Sequence, residues 1–173
     1  LTQLDAVIAS GVYGLNSEFI ENFKSSGENS SESIFAIQFA SDGGVSNQGN
    51  KGGTLNFPGG GPINSCCGFY QPTQDLVDAY QTVNGLPMLD DFQASSAMDH
   101  DYNIDSDSPF TAPTATVDPR LDYTVGRRGV DYNGWAVHAG KSWIRANFSD
   151  ISGPYLPKKN IFQADDSNNF AQG

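Results

Sequence analysis

Nine glycines fall between residues 43 and 68, and almost no apolar period runs through them. A helix repeats its apolar residues every three to four positions and a half-buried strand every second one. This stretch does neither, so it predicts one long loop. Loops of that length inside a compact domain serve a function or lack a fixed structure. With 38% hydrophobic residues and nine prolines in 173 residues, only a small core is expected to pin it. The length fits one domain, and a domain of this size hides about two-thirds of its unfolded surface. The fold expected is mainly α with extensive irregular loops and a few short strands, an α+β mixture.

The loop ends in "GGGPINSCCGFY", residues 59–70. A phosphate loop would finish in Gly-Lys-Ser/Thr, and no basic residue lies nearby, so these glycines predict tight, close-packed turns instead. Cys66 and Cys67 are the only cysteines. Adjacent cysteines make poor partners for one tetrahedral metal, and no Cys-x-x-Cys pair exists. Two readings stay open: a strained vicinal disulfide in an oxidising compartment, or two free thiols.

Outside the loop, periodicity returns. Leu1, Leu4, Val7 and Ile8 share a helical face that Gly11 stops. "NSEFIENF" predicts a short helix capped by Ser17, and "SIFAIQFA" alternates like a strand. "PTQDLVDAYQTV" predicts a helix with Thr73 as cap, Asp75 in its first turn, a stripe of Leu76, Val77, Tyr80 and Val83, and Asn84-Gly85 as stop. Residues 90–119 read as loop. "RLDYTVGRRGVDYNGWAVHAG" reads as a β-hairpin with Asn133-Gly134 at a tight primed turn. The two prolines of "GPYLPKKN" argue against a regular ladder there.

Charge is large and uneven. The formal net charge is −11, which argues against the clustered basic surface that nucleic acid requires. Residues 52–119 carry nine Asp and no Lys or Arg, whereas residues 120–159 carry seven Lys or Arg against three Asp. Two solvated faces of opposite sign are the plain reading, and a ligand surface is the sharper one. Asp99, Asp101, Asn103, Asp105 and Asp107 alternate like the first half of a calcium loop. Ile104 stands where the turn glycine belongs and Phe110 where the bidentate Glu belongs, so calcium is a weak candidate and no other cofactor is expected. Neither histidine sits in a triad context and no Gly-x-Ser-x-Gly elbow occurs, so nothing marks a catalytic centre.

Aromatic residues give a better signal. Their faces stack on the C–H faces of sugars, while amide, carboxylate and guanidinium groups reach the hydroxyls. Trp135 and Tyr132 flank the predicted Asn-Gly turn and are the first candidates for a ligand face. Trp143 and Tyr70 follow on the same logic, and Phe69 is expected in the core.

Five motifs also stand in order: "ENSSESIFAIQFA", the Gly-rich loop, "GFYQPTQDLVDAY", "VDPRLDYTVGRRGVDYNGW" and "GPYLPKKN". Together they resemble the SusD/RagB family of outer-membrane nutrient-binding lipoproteins, over about Leu1 to Asn160. The resemblance implies a partial SusD-like fold. Residues 1–173 would form part of the loop-rich, ligand-facing C-terminal region, without the tetratricopeptide-like helical scaffold and final helices. A chain that opens on "LTQLDAVIASG", with no initiator Met, signal peptide or membrane-spanning run, fits a fragment or processed product. The resemblance further implies a non-enzymatic protein. It would capture an oligosaccharide at the cell surface and deliver it to a SusC-like TonB-dependent transporter, attached to the outer membrane by a lipid anchor. Arg120, Arg127, Arg128, Lys158 and Lys159 fall in family motifs and would be scaffold residues that hold loop carbonyls and nearby Asp. Sugar-contacting positions vary within the family and do not transfer by motif. The rival readings are peptide or other polymer binding on the same fold, a carbohydrate-active enzyme fragment, and a purely structural surface.

Overall fold

The computed structural model describes residues 1–37, 58–63, 68, 70–94, 98, 104–144, 153–159 and 161–165. Cys66, Cys67, Phe69, Asp99, Asp101 and Asn103, each singled out by the sequence, lie outside the described residues. Irregular backbone dominates, with helix confined to short segments and strands of two residues.

Helix α1 (Thr2–Ala9) forms where the apolar spacing predicts it, and Gly11 beyond it takes a left-handed φ of +64°. None of its residues is buried. The helix expected after Ser17 is instead a 3₁₀ segment, Phe19–Phe23, with Glu18 at its N-cap and no side-chain cap. A local polar network explains the change. The Asn16 Nδ2 donates to Asn22 Oδ1 (2.7 Å), and Asn22 Nδ2 donates to Glu32 Oε2 (3.1 Å). Such side-chain bonds compete with the helical pattern. Residues 34–37 form no strand and are exposed, Phe35 at 84%. Their period-two pattern places side chains but supplies no partner strand. The rest of that expected strand lies outside the described residues.

Helix α2 (Gln74–Asp78) has the expected cap: Thr73 Oγ1 accepts a bond from the Leu76 N–H at 3.2 Å. It stops one turn early. The buried Asp78 carboxylate accepts from the Met98 N–H (2.8 Å), Gln74 Nε2 (3.1 Å) and Gln81 Nε2 (3.2 Å), which fixes the exit. Asn84-Gly85 is therefore no helix stop. With φ of +54° and +77° it makes the turn between β1 (Thr82–Val83) and β2 (Leu86–Pro87). Both signs positive is the primed geometry that matches strand twist.

The segment read as one hairpin divides in two. Its first part is a helical turn, α3 (Leu121–Thr124), launched by the Asp118 carboxylate accepting the Arg120 N–H at 2.9 Å. β3 (Val125–Gly126) then pairs antiparallel with β4 (Leu156–Pro157), Val125 opposite Pro157 and Gly126 opposite Leu156. The "GPYLPKKN" prolines thus permit a ladder of two residues, and Pro157, with no N–H to donate, limits it. The second part closes as expected at its tip. Asn133 and Gly134 have φ of +53° and +76°, the Trp135 N–H donates to Tyr132 O (3.0 Å), and Asp131 bridges Val137.

Two apolar clusters meet at this short ladder. Val77, Met98, Leu121, Val125 and Tyr155 form the first, and Tyr132, Ile144, Leu156 and Ile161 the second. Neighbouring strand residues point to opposite faces, so Tyr155 and Leu156 serve one cluster each. Each fully buried aliphatic side chain here contributes about 1.5–3 kcal/mol. The glycines before Cys66 have a packing role in the described part of the loop. A Cβ on Gly61 would stand 2.9 Å from the Trp143 ring at a φ of +73°, so a bare backbone lies against that indole. No helix among the described residues is long and apolar enough to cross a membrane.

Candidate functional site

A groove of about 320 Å³ opens beside the first cluster, lined by Phe19, Tyr80, Thr82, Pro87, Asp118, Arg120 and Lys159 among others. Its size falls within the range of small-ligand sites. Each wall follows from local structure. After α2 the chain runs antiparallel to residues 116–118: Asp118 N–H donates to Tyr80 O (2.9 Å), and Thr82 N–H donates to Thr116 O (2.9 Å). Gln81 bridges Val117 in the same strip. That strip holds Tyr80 half-buried, its hydroxyl 3.4 Å from Thr124 Oγ1. Phe19, from the 3₁₀ segment, packs its ring on Phe23 (5.2 Å between centroids) and Tyr123 (5.6 Å).

The charged wall is built around Asp118. Its carboxylate takes Arg120 Nε at 2.9 Å and Nη2 at 2.5 Å, as well as the Arg120 backbone N–H. These bonds, the side-chain ones first, hold the Asp118 carboxyl down to about 2. Arg120 is raised in return by the same carboxylate. The pair occupies two of the three guanidinium nitrogens. Arg120 Nη1 has no partner among the described residues and offers two further donors. Lys159 enters from the end of β4, where its N–H bonds Thr124 O. Its ammonium lies over the faces of Phe23 (4.5 Å) and Phe19 (5.5 Å). No carboxylate pairs with it among the described residues.

A second, more open depression of about 790 Å³ lies over Asp105, Ser106, Asp107, Lys141 and Ser142. It has no aromatic lining, and its cation is already matched, Lys141 Nζ to Asp105 Oδ1 at 3.3 Å. Asp107 is exposed, and no group of three metal-ligating side chains occurs among the described residues.

The predicted aromatic candidates do not gather in one place. Tyr132, expected at a ligand face, is fully buried. Its hydroxyl donates to Pro157 O at 2.6 Å, and its ring meets His138 and Trp143 edge-on. The turn presents Tyr132 inward because a buried carbonyl waits there for its hydroxyl. Trp135 is half-buried, its Nε1 donating to Phe162 O (3.2 Å) and its ring against Phe162. Trp143 packs half-buried beside the second cluster. Tyr70 is 65% exposed, with an unusual left-handed φ of +53°.

The family-motif cations are spread as follows. Arg127 grips Asp122 (2.6 and 3.0 Å), and Arg128 holds the carbonyls of Ser106 (2.7 Å) and Ser108 (2.6 Å) with Phe110 beneath it. Lys158 is buried, its ammonium donating to Asp131 O, and burial lowers its pKa. Only Arg120 and Lys159 reach the groove. Sequence reasoning missed Phe19, Tyr80 and Asp118. Tyr80 read as part of a helical stripe, and only the Asp-Pro-Arg run hinted that a carboxylate would turn back on its own arginine.

No curated protein matches the chain. A model of the SusD family matches residues 31–169, which include every groove residue named above except Phe19. The chain belongs to the SusD/RagB family.

Proposed function

We propose that the chain binds an oligosaccharide at the cell surface and passes it, unbroken, to a SusC-like TonB-dependent transporter in the outer membrane. Family membership supports the coarser part, nutrient binding by a protein whose relatives are typically non-catalytic. The observation that carries the finer part is the groove. It puts two aromatic residues, Phe19 and Tyr80, beside a bidentate Arg120–Asp118 pair and Thr82. Rings stack on the apolar faces of pyranoses, and the polar groups address their hydroxyls. In this reading the full-length protein is a lipid-anchored outer-membrane protein. Calcium would be no part of the site, since Asp105 and Asp107 lie in the other depression.

The test is an affinity-gel or array screen against plant, host and algal polysaccharides, with released sugars assayed in the same tubes. Binding without turnover is expected. Tyr80→Leu, which keeps apolar bulk but loses the flat face, is expected to weaken binding about two- to tenfold, given about 0.5–1.5 kcal/mol per aromatic contact beyond area burial. Released sugars, or binding indifferent to Tyr80, would contradict the reading.

A further inference from the structure

We infer that the groove selects acidic sugars, a glycan bearing uronic carboxylates, over neutral ones. This rests on the groove being the nutrient site, and it adds the class of nutrient. The segment 120–159 holds most of the basic residues of a chain whose net charge is −11. Two of them, Arg120 and Lys159, line the groove, and among the described residues Asp118 is the single carboxylate lining it. Asp118 is already consumed by Arg120 through two side-chain bonds and one backbone bond. The groove therefore has a surplus of one positive charge.

The surplus sits on Lys159. Its ammonium rests on the π faces of Phe19 and Phe23. Rings hold a cation in place without neutralising its charge. A carboxylate meeting it there gains a charge-assisted bond, and Arg120 Nη1 offers a second donor pair on the same groove. The overall charge of −11 does not cancel this attraction, because at physiological salt fields fade over about 8 Å, and the nearest charges decide. The neutral remainder of the lining, Tyr80, Thr82 and Pro87, suits the ring faces and hydroxyls of the same sugars.

The experiment uses the full chain and two probes of one length, an oligogalacturonide and its fully methyl-esterified form, which keeps the pyranose rings and removes the charge. Affinities are measured by calorimetry at low and physiological salt, on the natural protein and on Lys159→Gln. Circular dichroism and thermal melting check that the variant folds. The charged probe is expected to bind about tenfold or more tightly than its ester, as a charged hydrogen bond allows. Salt should weaken the charged probe, and Lys159→Gln should cost the charged probe several-fold more affinity than it costs the ester; equal losses for the two probes would contradict a role for the Lys159 charge. Equal affinity for both probes would overturn the acidic preference and leave the glycan reading standing. No binding of either probe, with neutral glycans also silent, would overturn both. An acidic peptide that binds in the same Lys159-dependent way, with both sugars silent, would replace the glycan with a protein ligand.

Discussion

At the scale of single residues, the groups that decide this structure are polar ones placed where water cannot reach. His138 is 2% exposed. Its Nδ1 accepts the Gly140 N–H at 2.9 Å, so in the neutral ring the proton sits on Nε2. That nitrogen is buried and has no partner among the described residues. Burial first, and the charge of Lys158 second, push the His138 pKa from 6.5 down to about 3. The unfolded chain therefore holds more protons than the folded one between those two values, and stability must fall as pH drops through that window. The expected loss is about 1 kcal/mol per pH unit. Urea unfolding at pH 7 and pH 4.5 checks this: the natural protein should lose more than His138→Gln, and equal losses would contradict it. Tyr132 makes a related point. Asn-Gly predicted its turn correctly, but the side of the turn that faces the core depends on a carbonyl at Pro157, 25 residues later, which no local pattern reveals.

At the scale of elements, local chemistry was legible and length was not. The Thr73 cap, the apolar spacing of α1 and the primed Asn133-Gly134 turn were all readable from neighbours in sequence. What failed depended on distant partners. The helix after Thr73 ends early because Asp78 finds Met98, and the Tyr123–Val125 strand begins as a helical turn because Asp118 folds back on Arg120. β4 exists because Val125 and Gly126 supply an edge to a proline-bearing segment. The groove was illegible for the same reason. Its walls come from residues 19, 79–82, 87, 118, 120 and 159, which only the fold brings together. The cap also offers a test at this scale. Thr73→Ala should destabilise the protein by about 1 kcal/mol, and Thr73→Ser should spare most of that. Denaturant midpoints measure both, and identical losses in the two variants would show that the hydroxyl is not what matters.

At the scale of the whole molecule, the sequence supplied a charge pattern and a family, and the fold gave the pattern a location. The basic segment 120–159 sends Arg120 and Lys159 to one groove and commits Arg127, Arg128 and Lys158 to inner bonds. Scaffold and groove lining are thus built from adjacent residues of the same motifs, "DPRL" and "PKKN". In the proposed function, the nutrient binds in the groove between Phe19, Tyr80, Arg120 and Lys159. The most direct measurement is an amide chemical-shift map of the chain titrated with an oligosaccharide that it retains in the screen. The expected result is that the largest shifts fall on residues 19, 80–82, 118, 120 and 159. Shifts centred instead on Tyr70, on Trp135, or on the Asp105–Ser108 depression would contradict the account.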